Sequence, residues 1–211
     1  MGNFFWSYCK KVNAGLGYGA LYNWYAASNA LFAPVGWHVP TYADFTALQT
    51  ALGGASVAGG HLKEVGLTHW LTPNTGADNS SGFNGRGGGY RNNSSFVSIK
   101  NQGLYWSSAS SSFTLYTYYS YAYTQISGET KSWGFSVRLI KNDSTNPGTL
   151  TDIEGNVYNC VTIGSQVWTA SNWKCTKLND GTAIANVTDN ATWAALTTGA
   201  YCWYNNDIGN K

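Results

Sequence analysis

The sequence predicts an α+β fold with two short helices, small antiparallel sheets and long Gly/Asn/Ser-rich loops. Three observations carry this. Thr41 precedes Phe45, Leu48 and Leu52, an apolar spacing that fits one face of a helix. Phe113–Tyr123 (FTLYTYYSYAY) alternates with period two and is dense in β-formers. Between them, Ala55–Gly103 is so rich in Gly, Asn and Ser that it reads mostly as loop.

Taken in order, Tyr18–Ala27 (YGALYNWYAA) places Leu21, Trp24 and Tyr25 on one side of a short amphipathic helix. Gly36–Pro40 is extended, because Pro40 forces Val39 out of the helical region. Thr41 then caps the second helix, with Asp44 as its capping-box partner, and Gly53-Gly54 ends it. His61–Val65 and Phe96–Ile99 are short ordered pieces within the long loop region. In Phe113–Tyr123, residues 113, 115, 117, 119, 121 and 123 share one face. Ser127–Thr130 is a turn, and Trp133–Ile140 (WGFSVRLI) is a second strand able to form a hairpin with the first. Residues 142–150 read as a linker. Beyond it, Asp152–Tyr158 and Cys160–Thr169 form a hairpin with turns at Glu154–Asn156 and Gly164-Ser165. Asp189 caps a short helix through Leu196, and Tyr201–Tyr204 is a last aromatic strand.

Composition narrows the function. Only 10% of the 211 residues are charged, while aromatics reach 16%, with 10 Trp and 15 Tyr. The surface is therefore covered by Asn, Ser, Thr, Gly and Tyr, as in exposed extracellular proteins and binding loops. A net charge of +2 gives no footprint for nucleic acid. No apolar run is long enough to span a membrane, and the start, MGNFFWSYCKK, lacks the basic-then-apolar pattern of a signal peptide.

Reactive groups are sparse. Cys9, Cys160, Cys175 and Cys202 lack zinc spacing; they permit two disulfides, with Cys160–Cys175 bridging neighbouring strands, or stay as buried thiols. Asp44, Asp152, Glu154, Asp180 and Asp189 sit at caps or turns, and Glu64 partners Lys63 or His61. Paired carboxylates of glycosidase type are not found. His38, His61 and His69 each adjoin apolar or aromatic residues and read as structural. Gly85–Gly89 lacks the strand and helix context of a phosphate loop. Calcium is the one metal considered, with Asn74, Asp78, Asn79 and Asn84 as hard oxygen donors, but a plain Asn/Gly turn network accounts for them too.

The motifs YGALYNWY (18–25), GWHVPT (36–41), WSS (106–108) and GFSVR (134–138) together resemble the Fibrobacter succinogenes major paralogous domain, a bacterial and phage surface module. The resemblance implies a C-type-lectin-like fold of the formylglycine-generating-enzyme type. That enzyme's paired-cysteine or copper site does not carry over, since no cysteine lies between Lys10 and Asn159. Nor do the acidic and Asn triplets of sugar-binding lectins appear.

Segment order departs from that family. The part similar to 151–211 normally precedes the part similar to 1–141, which here is the C-type-lectin-like part. The chain is permuted, or a window across a tandem array, or an exchanging chain whose C-terminal segment completes a neighbouring copy. Phe4–Gly17 and Ala200–Lys211 look like two versions of one segment, which favours modular or exchanged assembly.

Some members of the family look like variable proteins of diversity-generating retroelements, in which template adenines are randomised. Residues 107–124 consist of types reachable from Asn-type template codons and lie just before GFSVR, where such regions end. Compositional bias toward Tyr and Ser is the competing cause. Tyr supplies rigid amphipathic contact and Ser adaptable hydrogen bonding. The expected ligand contacts are Tyr105, Ser110, Ser112, Phe113, Tyr116, Tyr118, Tyr119, Tyr121 and Tyr123, within a binding region at 103–124. The function expected is non-enzymatic binding or adhesion to a surface protein or glycan, displayed on a phage tail or cell surface. The rivals are a structural repeat of a surface fibre, and a calcium-dependent lectin or carbohydrate-active enzyme.

Overall fold

A computed structural model describes residues 17–108 and 111–211. In chain order its first elements are β1 (Leu21–Tyr22), α1 (Trp24–Ala27), β2 (Trp37–His38), α2 (Tyr42–Ala51), α3 (Ala55–Leu62), β3 (Gly88–Arg91) and β4 (Phe96–Ile99). The central hairpins follow as β5 (Gln102–Trp106), β6 (Phe113–Tyr118) and β7 (Thr124–Gly128). Next come β8 (Ile140–Lys141), β9 (Thr149–Thr151), β10 (Val157–Ile163), β11 (Gln166–Thr169), β12 (Ala185–Asn186), α4 (Asn190–Ala194) and β13 (Ala200–Cys202). Short helices and small, mostly antiparallel sheets make this an α+β protein.

The C-terminal part is built into the first. A five-stranded sheet runs β2-β8-β11-β10-β9, with Ile140 of β8 paired to His38 on one side and to Trp168 on the other. A second sheet pairs β1 with β13 and β13 with β12. The main core mixes Tyr22, Leu104, Trp106, Phe135 and Val137 with Tyr158, Trp173, Tyr201 and Trp203. Each such side chain, fully buried, contributes about 2 kcal/mol or more. The Gly17 amide donates to the Lys211 carbonyl at 3.2 Å, so the last residue lies against the first described one.

Two buried arginines stitch the parts together through carbonyl and amide oxygens, with no ion pair to a carboxylate among the described residues. Arg138 donates to Asn172 Oδ1 and to the carbonyls of Phe83, Thr169 and Asn84, with its guanidinium 4.3 Å from the Phe83 ring centre. Arg91 donates to the carbonyls of Val187 and Thr188 and to Asn190 Oδ1, and lies 4.4 Å from the centre of the Trp193 ring. The planar fork suits several fixed acceptors at once.

Several expectations are corrected. Among the described residues four α-helices form: the two expected first, the short one capped by Asp189, and α3, which was not expected. Only Trp24–Ala27 of the first expected helix is helical: Asn23 accepts from the Ala26 amide as its cap, while Tyr22 bonds Phe135 in both directions and draws Leu21–Tyr22 into a strand. The capping box on α2 forms as the sequence indicates, Thr41 with Asp44. The helix α3 lies where a loop was expected, because its Gly59 and Gly60 suppress helical propensity. Strand β6 stops at Tyr118; the chain turns over 119–123 and returns as β7, so the long shared face ends there. Trp133–Leu139 is not a hairpin partner of β6. Its backbone instead bridges three elements, through Arg91 to Gly134, Tyr22 to Phe135 and Tyr105 to Ser136. The expected linker loses 149–150 to strand β9, which spans Thr149–Thr151.

The thiols of Cys160 and Cys175 are free and buried, each turned to a backbone carbonyl, so the disulfide between them is absent; Cys202 is likewise free and buried. Burial pushes Cys175 and Cys202 up to about 12. Cys9 lies outside the described residues.

Candidate functional site

The turn between β6 and β7 is fixed from beneath by residues distant in sequence. Lys63, at the end of α3, is fully buried, and its ammonium donates to the carbonyls of Thr75, Tyr118 and Tyr121, each at 2.8 Å. Those three bonds use every donor the group has. Burial pushes its pKa down to about 8. The Gly60 amide donates to the Ala122 carbonyl at 3.0 Å, and the Thr75 amide to the Tyr119 carbonyl at 2.8 Å. The Tyr119 amide donates to the Asn101 carbonyl at 2.9 Å.

The two helix glycines make this approach possible. A Cβ on Gly59 would stand 2.4 Å from the Tyr123 carbonyl oxygen, and one on Gly60 would stand 2.4 Å from that of Gly76. The Ala122 side chain is directed into this packing; its Cβ would lie 2.9 Å from a Cβ on Gly76. The supports under residues 118–122 therefore grip main-chain atoms.

Above this base the tyrosine rings gather. Tyr118 lies 5.4 Å from Tyr123, 6.2 Å from Tyr121 and 5.9 Å from Tyr116, ring centre to ring centre. Tyr121 and Tyr123 stack at 4.9 Å and are 50% and 37% exposed. The Tyr118 hydroxyl donates to Gln125 Oε1 at 3.3 Å, and the Tyr116 hydroxyl to Glu129. Burial, then Tyr123 and Glu129, pushes Tyr118 up to about 12, and burial with the Glu129 bond raises Tyr116 further. These hydroxyls stay protonated at neutral pH, so they can donate or accept.

The nine expected contact residues divide. Tyr105 is fully buried, edge-on to Phe83 at 5.5 Å, and belongs to the core. Ser112 is buried with a positive φ of 48°, its hydroxyl donating to the Glu129 carbonyl at 2.7 Å, and so it closes the base of the β6–β7 hairpin. Phe113 packs on Tyr42 of α2 at 4.9 Å, on the sheet face of Leu115 and away from the tyrosines. Ser110 lies outside the described residues. Tyr116, Tyr118, Tyr121 and Tyr123 come together, with half-buried Tyr119 beside them in the turn.

The residues missed are Lys63, Gly59, Gly60, Gln125 and Glu129. Gly59-Gly60 shortly before Lys63, in a chain poor in charge, was the one local signal. Sequence does not show which carbonyls a lysine will reach.

The oxygens weighed for calcium are mostly engaged locally. Asp78 accepts from the Ser80 amide and from His61, and Asn79 and Asn84 bond each other twice. Asn74 turns its amide to the carbonyls of Glu64 and Gly66, in a separate loop. Among the described residues no group of three acidic, His or Cys side chains is placed to hold a metal. Glu64 pairs with His69 and Arg86, rather than with Lys63 or His61. No helix of the described residues is long and apolar enough to cross a membrane.

Fold and site thus define an α+β domain that carries an aromatic turn on a buried, hydrogen-bonded base. The chain belongs to the Fibrobacter succinogenes major domain family, whose sequence model matches residues 5–141. That match stops where the linker begins, so the 151–211 segment packed into the same core lies beyond it. No curated protein and no solved structure matches the chain.

Proposed function

We propose that this protein is a non-enzymatic binding or adhesion module, displayed on a phage tail or bacterial surface. It engages a surface glycan or protein through Tyr116, Tyr118, Tyr119, Tyr121 and Tyr123. One observation carries the reading: the turn bearing these rings is anchored through main-chain carbonyls and amides, while Tyr121 and Tyr123 remain exposed. A rigid base under ordered, partly exposed aromatic side chains lowers the entropy lost on binding.

The same anchoring supports a variable surface of the retroelement type on a C-type-lectin-like scaffold. Side chains at 118, 119, 121 and 123 can change without losing a support, whereas Ala122 must stay small. Exchange of the 151–211 segment between copies would use the contacts described above in trans, hinged at the exposed residues 142–148.

The test is binding of labelled protein to bacterial cells, compared with a Tyr118→Ala/Tyr121→Ala double variant. An affinity at least tenfold lower, with an unchanged melting temperature, supports the site; unchanged affinity removes both tyrosines from it. Sequences of close copies test the variability: substitutions should cluster at 118, 119, 121 and 123 and spare Leu115, Thr117 and Ala122. Uniform substitution along the chain would sink that part.

A further inference from the structure

Between the end of α1, the loop that follows it and β2 lies a cavity of about 200 Å³. That is smaller than the roughly 300–1,000 Å³ of pockets for drug-sized ligands, and at about 30 Å³ per water it has room for about six waters. Its lining is mixed. Ala27, Ala30, Ala33 and Val39 supply apolar surface, and Ser28, Asn29 and Trp37 carry polar atoms. Those polar atoms are largely unused. The Ser28 hydroxyl, Asn29 Nδ2 and Trp37 Nε1 have no hydrogen-bond partner among the described residues, although Trp37 is only 9% exposed. The indole N–H groups of Trp173 and Trp193 are sealed in without a partner; that of Trp37 is not sealed, and this cavity is the space its side chain lines. Asn29 Oδ1 accepts from the Leu31 amide at 2.8 Å, which fixes that side chain. The carbonyls of Ala27 and Ser28 accept no bond from the described residues, so acceptors stand beside the donors. The remaining lining is braced. His38 bonds Asp44 through Nε2 and Asn142 through Nδ1, and the Ser108 hydroxyl donates to the Val39 carbonyl at 2.7 Å. His38 is the only acidic or basic residue of the lining, and Asp44 matches its charge.

We propose that this cavity binds one neutral sugar ring, free or at the end of a glycan. Size admits a single ring. The unused groups then select its chemistry. A hydroxyl both donates and accepts, so a ring bearing several of them can meet the Trp37, Ser28 and Asn29 donors and the Ala27 and Ser28 carbonyls together. Its C–H surface packs on the alanines and Val39. A purely apolar ring of the same size would leave those donors and acceptors unpaired, a cost for each. An anionic or cationic ligand would give up its hydration for no free counter-charge. The site uses none of the tyrosines of the β6–β7 turn, so it stands or falls separately from the function proposed above.

The test is saturation-transfer NMR of the whole chain with glucose, galactose, mannose and N-acetylglucosamine, each also as its methyl glycosides. Glucuronic acid and glucosamine serve as charged controls. At least one neutral sugar is expected to bind with a dissociation constant of about 1 mM or tighter, as a ligand of this size can. The charged controls should bind more weakly. Ala30→Leu adds bulk at an exposed position of the lining and should weaken binding about tenfold or more. Ser28→Ala removes one hydroxyl and should weaken it about threefold or more. Melting curves of both variants should match the parent's. The Tyr118→Ala/Tyr121→Ala variant should bind the sugar as the parent does. Equal binding of a free sugar and one of its methyl glycosides assigns the end of a glycan chain, and loss of binding on methylation assigns the free sugar. Saturable binding by none of the neutral sugars, equal binding of the charged controls, or parent-like affinity in both Ala30→Leu and Ser28→Ala overturns the inference. So does a sugar affinity lost in the tyrosine double variant and kept in Ala30→Leu, which would place the sugar on the turn.

Discussion

The Lys63 ammonium meets the Tyr118 carbonyl at 2.8 Å, joining the end of α3 to the last residue of β6 across 55 positions of sequence. This buried ammonium, with no carboxylate paired to it among the described residues, holds the aromatic turn at its start and at its middle. Lys63→Met keeps the stem but leaves the carbonyls of Thr75, Tyr118 and Tyr121 without their donor. Loss of about 2–4 kcal/mol is expected, since buried acceptors left unpaired cost roughly 1–3 kcal/mol each and local relaxation or water recovers part. Urea denaturation measures it, and amide exchange at residues 119–122 should accelerate more than at β10. A variant as stable as the parent would show that the turn is held otherwise.

Gly60→Ala separates two opposing effects. Helix propensity alone says alanine should stabilise the interior of α3 by roughly 1 kcal/mol. The structure says the reverse, because the new Cβ would fall 2.4 Å from the Gly76 carbonyl oxygen, a backbone atom that cannot swing away. Overpacking of this kind costs about 1–3 kcal/mol, so a net fall in melting temperature is expected. A rise would mean that α3 and the 76–78 loop are not in contact.

This glycine pair also marks the limit of what the sequence reveals. Local signals were sufficient where the physics is local: the Thr41–Asp44 capping box, the Asp189 cap, the Gly164-Ser165 hairpin turn and the alternation of 113–117 all form. They failed where tertiary contact overrides propensity. The glycines that read as loop sit inside a helix, since only a bare Cα lets the tyrosine turn come so close. Tyr105 read like its neighbours in a tyrosine-rich stretch, yet the bridge of its strand to Ser136 and the Phe83 ring place it inside. Composition identified a tyrosine surface; only three-dimensional packing separated its exposed rings from its core.

Arg138 tests how the two parts of the chain cohere. Arg138→Leu removes the donor to Asn172 and to the carbonyls of Phe83, Asn84 and Thr169, four groups drawn from both sides of the linker. A loss of roughly 3 kcal/mol or more is expected, because truncating one partner of a buried network strands the others. Arg138→Lys should recover little of it, as an ammonium cannot reach the acceptors that the planar fork spans. If both parts belong to one cooperative unit, tryptophan fluorescence and circular dichroism will report the same shifted midpoint. Two separate transitions would show the 151–211 segment folding independently.

His38 and Asp44 give the fold a pH signature. His38 Nε2 donates to Asp44 Oδ2 at 3.1 Å and Nδ1 donates to Asn142 Oδ1 at 2.7 Å, so the imidazolium is doubly satisfied. Its pKa is raised above 6.5, chiefly by the Asp44 bond and against the effect of burial. Burial pushes Asp44 up, but bonds from His38 and from the Thr41 side chain and amide outweigh it and hold the carboxyl down at about 2, below its usual 3.8. A raised histidine pKa stabilises fully below 6.5, and that contribution is lost as pH climbs through the folded value. A lowered carboxyl pKa stabilises above 3.8, and that contribution is lost as pH falls toward about 2. Their joint contribution is therefore greatest between 3.8 and 6.5. The side chains are 36% and 22% exposed, so solvent screening limits the effect to about 0.5–1 kcal/mol. Melting temperatures recorded from pH 4 to pH 8 for the parent and for His38→Gln should differ most at the acid end and converge as His38 loses its proton. A difference that stays constant across that range would show that the histidine does not titrate against Asp44.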